Sequence, residues 1–183
     1  MKELSLHILD IIQNSIAAGA DCVETLIYKN ISENVFQIKI EDNGKGMESS
    51  KAFESLDPFV TSRKTRDVGM GLPLLRQSAR LCGGELNISS VPGEGTVVEA
   101  EFINDHIDRP PLGNIVETFV SLIAVNPHID FIYRHKINEN EFIFSTLKIK
   151  DKLDEVKINN SEILSWIRDY LRENLQKLRG GEL

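Results

Sequence analysis

The chain has 183 residues, of which 41% are hydrophobic, enough for one large or two small packed domains. Its formal net charge of −7 argues against general affinity for nucleic acid or an anionic membrane, and no apolar run approaches the roughly 20 residues that span a bilayer. The N-terminus lacks a signal-peptide layout and the two cysteines, Cys22 and Cys82, are far apart in sequence. We therefore expect a reduced, cytoplasmic protein that binds neither nucleic acid nor membrane.

The first segment predicts an amphipathic helix. A second face of that helix carries His7, Asp10 and Asn14, which are three and four residues apart. An amide oxygen of Asn14 suits a magnesium ion, and a carboxylate one turn away at Asp10 can orient or deprotonate a water. The solvated side of an ordinary surface helix would show the same pattern. The apolar stripe at helical spacing consists of Leu4, Ile8, Ile11, Ile12 and Ile16.

Residues 35–40 alternate between apolar and polar side chains and predict a half-buried strand. The strand ends at Asp42, whose carboxylate can accept a hydrogen bond from the exocyclic amine of adenine. Gly44 and Gly46 follow at alternate positions, which lets the backbone approach a base closely and adopt positive φ. Taken alone, the segment is also explained by a simple Asn-Gly turn.

A second glycine pair, Gly69 and Gly71, precedes a predicted helix from Pro73 to Leu81. The N-terminus of a helix presents free N–H groups and the positive end of its dipole, which suits phosphate oxygens. Upstream lies a hydroxyl and cationic cluster that would fold over the phosphates, with Lys64 the best candidate for a direct contact; a solvated basic turn explains it equally well. The cluster consists of Thr61, Ser62, Arg63, Lys64 and Arg66.

The chain changes character after Phe102. Residues 104–111 are polar and end in two prolines, which predicts a linker. Apolar residues at helical spacing predict a helix from Ile115, and residues 131–133 and 142–144 flank Asn-Glu-Asn as a hairpin signal. A final amphipathic helix is predicted over residues 163–178. We expect an α/β module of helix, hairpin and helix over residues 112–183, which would fold alone or dock on the first domain.

In this order and at these spacings the motifs resemble those of the GHKL superfamily of ATPases. Its members include gyrase-type topoisomerases, ninety-kilodalton heat-shock chaperones, sensor histidine kinases and mismatch-repair ATPases. The resemblance covers residues 1–103 and implies that Asn14 ligates magnesium, that Asp42 reads adenine and that Thr96 helps to hold the base. It implies Asp10 as the catalytic residue. The other residues implied to line the nucleotide are Gly44, Gly46, Met47, Thr61, Lys64, Gly69, Gly71 and Leu72.

The resemblance implies an α/β fold of the α+β type. In this fold a two-layer sandwich has a mixed, mostly antiparallel sheet covered on one face by helices, followed here by the C-terminal module. The position four residues before Asn14 is usually glutamate in members that hydrolyse ATP, whereas this chain has the shorter Asp10. The chain begins at this helix, so a phosphoacceptor histidine domain is not expected within it. The C-terminal part also resembles that of short stand-alone ATP-binding proteins of anaerobic bacteria.

Three functions follow from the resemblance, each with ATP and Mg²⁺ as cofactors. In the first, the protein binds Mg-ATP as a regulatory module, with residues 47–68 as a mobile lid and the C-terminal module contacting a protein partner. In the second it is a protein kinase acting in trans on serine or histidine, and in the third a slow ATPase gated by dimerisation. These alternatives differ in where the terminal phosphate goes.

Overall fold

A computed structural model describes residues 2–57 and 71–180 of the chain. The helices are α1 (Leu4–Ala17), α2 (Ser49–Glu54), α3 (Gly71–Leu81), α4 (Ile115–Val125), α5 (Thr146–Lys150) and α6 (Ser161–Gly180). The strands are β1 (Cys22–Asn30), β2 (Val35–Asp42), β3 (Leu86–Val91), β4 (Gly95–Ile103), β5 (Asp130–Ile137) and β6 (Asn140–Ser145).

The described strands form one six-stranded sheet in the order β3-β4-β2-β1-β5-β6. Every neighbouring pair is antiparallel except β1 and β5, which run parallel. On β2 the buried side chains of Phe36, Ile38 and Ile40 alternate with half-buried ones, because helices cover only one face of the sheet. The predicted α+β sandwich with a mixed, mostly antiparallel sheet is confirmed.

Helix α1 buries the predicted apolar stripe, with Leu4, Ile8 and Ile12 fully enclosed. Glu3 stands at its N-cap position but makes no side-chain cap. The N–H groups of the first turn instead donate to backbone carbonyls where the predicted linker meets the C-terminal module: Leu4 to Pro111 over 3.0 Å and Ser5 to Leu112 over 2.8 Å. Residues 111–112 therefore replace a side-chain cap at the start of α1.

The C-terminal half has the predicted helix, hairpin and helix. Asn114 caps α4 by accepting a hydrogen bond from the Glu117 N–H, and the turn between β5 and β6 places Asn138 at φ 51°. Because β5 pairs with β1, this half extends the sheet of the first half, and one cluster of buried side chains runs through both. A division into domains at residues 1–103 and 112–183, with 104–111 as linker, stays a prediction.

Candidate functional site

Asp42 lies at the end of β2, where two groups from different segments bind its carboxylate. The Ser15 hydroxyl on α1 donates to Oδ2 over 2.6 Å, and the Gly44 N–H donates to Oδ1 over 2.9 Å. The side chain is half-buried. Since these bonds fix both oxygens in place, the carboxylate is oriented before any ligand arrives.

The glycines after Asp42 allow close approach between backbone segments. Gly46 has φ 59°, and a Cβ at this position would overlap the carbonyl of Val91. A Cβ at Gly44 would touch both the Asp42 carboxylate and the backbone of Ala18. The backbone segments that approach each other at these glycines both belong to the protein. Their contact holds the loop after β2 against the turn that joins β3 to β4.

A small polar network lies beside Asp42. Thr96 is the cross-strand partner of Asp42 in the β2–β4 pairing, and its hydroxyl oxygen is 2.9 Å from that of Ser90. The buried Ser90 hydroxyl donates to the Gly95 carbonyl and accepts a hydrogen bond from the Met47 N–H, each over 2.9 Å. Asp42 and Thr96, which the sequence linked only through a family motif, are thus neighbours in space, and the Met47 backbone is linked to Thr96 through Ser90.

The polar face of α1 has three different environments. Asn14 is exposed, whereas Asp10 is partly buried and its Oδ2 has no hydrogen-bond partner among the described residues. Burial raises the pKa of Asp10 above its ordinary value. His7 is only 1% exposed, and burial lowers its pKa despite an opposing influence of the Gly71 backbone. An unpartnered carboxylate with a raised pKa suits a group that accepts a proton or meets a ligand.

Helix α3 begins at Gly71, which lies directly against the Asp10 side chain. A Cβ at this glycine would overlap the Asp10 carboxylate, so only glycine lets the helix start this close to α1. The helix begins two residues before the predicted Pro73, and Leu72 is half-buried against the core. Gly71 and the polar face of α1 therefore meet at the N-terminus of α3.

Three predicted site residues, Thr61, Lys64 and Gly69, lie outside the described residues. Two residues that sequence reasoning did not single out, Ser15 and Ser90, take part in the observed hydrogen bonds. The one sequence feature that could have indicated a role for Ser15 is its position next to Asn14 on a predicted helix. The hydrogen bond between Ser15 and Asp42 joins residues that are 27 positions apart. No local sequence pattern predicts it.

The described residues fit a nucleotide with a magnesium ion. Asp10 has a buried oxygen with no hydrogen-bond partner among the described residues, and the absence of a side chain at Gly71 lets this carboxylate lie at the N-terminus of α3. No cluster of three or more His, Cys, Asp and Glu side chains in residues 2–57 and 71–180 could hold a metal. A magnesium ion would thus depend on an amide oxygen such as that of Asn14 and on ligand phosphates, as is common for this ion.

Comparison with known proteins agrees with this arrangement. Residues 2–105 match the family described as "Histidine kinase-, DNA gyrase B-, and HSP90-like ATPase". The chain belongs to this family. Membership implies that it binds ATP, and the matched residues include every predicted site position. Helix α4, the β5–β6 hairpin and helix α6 lie beyond the match.

Similar proteins include sensor kinases of bacteria. The chain is 33% identical over 96 residues to the signal transduction histidine-protein kinase AtoS of Escherichia coli, which is 52% of this chain and 15% of that protein. It is 29% identical over 104 residues to the tetrathionate sensor histidine kinase TtrS of Salmonella typhimurium, covering 55% and 17% respectively. The chain thus spans less than a fifth of the length of these relatives.

A solved structure shares the fold. The crystal structure of the N-terminal domain of a DNA repair protein superposes with a TM-score of 0.56 at 16% identity, covering 78% of this chain and 52% of that one. Since the covered share exceeds the 57% of the chain that residues 2–105 represent, the likeness in fold reaches into the C-terminal half. Among the described residues, no helix combines the length and apolar character needed to cross a bilayer.

Proposed function

We propose that the protein binds Mg-ATP at the site around Asp42 and acts as a cytoplasmic regulatory protein whose surface changes with the bound nucleotide. The observation that carries this proposal is the Asp42 carboxylate, which Ser15 and the Gly44 N–H hold in a fixed orientation at the end of a strand. A carboxylate held in one orientation beside the Thr96 hydroxyl can accept a hydrogen bond from the amino group of a planar base. The two cysteines are free, in agreement with a reducing compartment.

In this proposal the base lies at one end of the site. Asp42 accepts a hydrogen bond from the exocyclic amine of adenine, and Thr96 holds the base with Ser90 behind it. The Met47 backbone closes the same network through its bond to Ser90. The backbone around Gly44 and Gly46 lines the pocket at the point where the loop turns back toward the sheet.

The phosphates and the metal lie at the other end. Asn14 supplies an amide oxygen to magnesium, which neutralises phosphate charge when bound. The N-terminus of α3, with Gly71 and Leu72, offers backbone N–H groups to phosphate oxygens. Gly69 belongs to the same proposal through the family motif, and Thr61 and Lys64 through the hydroxyl and cationic cluster in the sequence.

A regulatory role needs a path from the nucleotide to another surface. Helix α1 carries Asp10, Asn14 and Ser15, and its first turn is hydrogen-bonded to Pro111 and Leu112. A nucleotide that prefers one position of α1 would therefore shift the linker and the C-terminal half, where a protein partner would bind. Such a ligand acts only through its different affinity for the two positions. Of the lid predicted over residues 47–68, residues 58–68 lie outside the described part of the chain.

A protein kinase acting in trans is the second candidate, and the sensor kinases among its relatives favour it. Here Asp10 would take the proton of an acceptor hydroxyl, for which a carboxyl with a raised pKa is suited. A slow ATPase would use the same carboxylate toward water. Both candidates need Asp10 as a base, whereas a nucleotide-binding regulator does not.

Product analysis tests the proposal. The protein is incubated with Mg²⁺ and ATP labelled at the γ-phosphate, and bound nucleotide, free phosphate and labelled protein are measured together. Retention of intact ATP by the wild type and by Asp10→Ala supports a regulator. Phosphate release that the wild type shows and Asp10→Ala loses identifies an ATPase, and label transferred to an added protein identifies a kinase. The absence of bound nucleotide, of phosphate release and of labelled protein together refutes all three.

A further inference from the structure

Among the described residues, no strand pairs with the outer edge of β6, and this strand lacks lysine, proline and a bulge, which usually protect a sheet edge. In the described sheet β6 is the last strand beyond β5. Along an antiparallel pair, every second residue of such a strand turns its N–H and C=O groups away from its one neighbour. Natural edges are usually blunted by lysine, proline or a bulge. The β6 segment NEFIFS contains neither lysine nor proline, and its register with β5 runs without interruption.

The one charged side chain on β6 is engaged in an ion pair within the sheet. The Glu141 carboxylate is held by the Arg134 guanidinium on β5 at 2.7 Å, and the same arginine reaches Glu24 on β1 at 3.3 Å. Glu141 therefore repels an approaching strand less than a free carboxylate would. This paired carboxylate contrasts with the net charge of −7 on the chain as a whole, which disfavours self-association elsewhere.

Apolar side chains surround this edge on three sides. Ile143 on the open face of the sheet is 48% exposed, and Leu147 just after the strand is 50% exposed. On the helix side Trp166 is 51% exposed and stacks on Tyr170 at 5.1 Å, and Tyr170 in turn packs against Phe142 at 5.8 Å. Exposed aromatic and aliphatic groups grouped around one edge are typical of an interaction surface.

We propose that β6 pairs with β6 of a second copy of this chain, antiparallel about a twofold axis at Ile143. Residues directly opposite each other in an antiparallel pair point to the same face of the sheet. The helix-covered face and the open face therefore continue from one copy into the other only when the twofold axis passes through a residue of β6 and not between two residues. Centring on Ile143 sets Ile143 against itself and Phe142 against Phe144 of the second copy. Glu141 then lies opposite Ser145, and no like charges meet. Centring on Phe142 would place Glu141 against Ile143.

The pairing makes one twelve-stranded sheet with the two proposed nucleotide sites far apart. From β2 of one copy to β2 of the other there are seven strand-to-strand steps, about 34 Å at roughly 4.8 Å each. The interface uses none of the site residues and lies beyond residues 2–105, which match the ATPase family. We therefore expect the dimer to form with or without nucleotide. A test of the dimer is independent of the proposal that the protein binds ATP.

Cysteine cross-linking tests the register. In a Cys22→Ser background, Ile143→Cys brings two thiols together at the twofold axis, where opposite Cα atoms are about 4.5–5.5 Å apart and a disulfide can form. Glu141→Cys is the matched control on the same face: its two Cα atoms would be about 14 Å apart, four residues at roughly 3.4 Å, beyond disulfide reach. Under mild oxidation we expect a covalent dimer from Ile143→Cys alone.

Mass measurement by light scattering tests the edge itself. We expect the wild type at about 50 μM to have twice the monomer mass of 20.6 kDa. Ile143→Lys should halve that mass, whereas Ile31→Lys, at a similarly exposed isoleucine in the β1–β2 turn, should leave it unchanged. A monomeric wild type, equal cross-linking of both cysteine variants, or a dimer that persists in a folded Ile143→Lys variant would each overturn the proposal. If that variant does not fold, the cross-linking result decides.

Discussion

The Ser15 hydroxyl lies 2.6 Å from the Asp42 carboxylate and joins helix α1 to the end of strand β2. The two residues are 27 positions apart, and their contact joins the base end of the proposed site to the helix proposed to bind magnesium. Binding of a base at Asp42 should therefore affect α1, whose first turn is hydrogen-bonded to the predicted linker through Leu4 and Pro111.

Loss of that hydroxyl should weaken nucleotide binding moderately. Ser15→Ala removes one donor to Asp42 but leaves the Gly44 N–H in place, so we expect a loss of about 1 kcal/mol, roughly fivefold, for ATP and ADP alike. Titration calorimetry with both nucleotides measures it. Ser5→Ala, at a buried serine on the same helix, is the control and should bind normally. Equal affinities for Ser15→Ala and wild type would mean that Ser15 does not orient Asp42 for binding.

Asn14→Ala should remove the magnesium dependence of ATP binding and leave the fold intact. The side chain is exposed, so its truncation should change the free energy of unfolding by no more than about 0.5 kcal/mol. Affinity for ATP is measured with magnesium and with a chelator, and the two values should converge in this variant. Gln13→Ala, also exposed and adjacent, keeps the difference. An unchanged magnesium effect in Asn14→Ala would refute its assignment as a ligand.

Gly71 and Asp10 should show coupled effects. Since a Cβ at Gly71 overlaps the Asp10 carboxylate, Gly71→Ala displaces that group and should cost about 1–3 kcal/mol in unfolding free energy. In an Asp10→Ala background the same change should be nearly neutral, giving a coupling energy of about 1 kcal/mol or more. Denaturant unfolding measures the cycle, with Gly180→Ala as the control because open space surrounds that glycine. Additive effects would show that the two residues do not meet.

The pH dependence of stability should report the buried Asp10. Burial raises the pKa of Asp10 in the folded state above the unfolded value of 3.8. Ionisation of this carboxyl therefore lowers the free energy of unfolding. The loss is complete above the raised pKa and absent below 3.8. Asp10→Asn removes this loss. The variant should unfold at a higher temperature than wild type near pH 7, and the difference should shrink as pH falls toward 3.8. A difference that is constant with pH would mean that Asp10 is not perturbed.

The individual elements could be predicted from the sequence because each has a local signal. The apolar stripe of α1, the alternation in β2 and the turn at Asn138 all follow from periodicity or backbone preference over a few residues. The order and spacing of Asp10 to Asn14, the two glycine pairs and Thr96 together indicated the ATPase family. The hairpin and the final helix were found in the same way.

Contacts between distant segments could not be predicted. Nothing local to β5 indicates that it pairs in parallel with β1, which makes the sheet continuous across residue 103. Gly46 was expected to adopt positive φ, which it does, but the sequence did not indicate that the backbone of Val91 lies against it. The burial of His7 likewise depends on how α1 meets α3, which its own helix does not determine.

The most direct test is calorimetric titration of the purified protein with Mg-ATP, with Asp42→Ala run in parallel. A buried, charge-assisted hydrogen bond to adenine contributes about 2–4 kcal/mol, so the variant should bind roughly 30- to 700-fold more weakly than a wild type of micromolar affinity. ADP should lose the same factor, because the contact is to the base. Equal affinity of the two proteins, or a loss for ATP but not for ADP, would contradict Asp42 as the adenine-binding residue and the central claim with it.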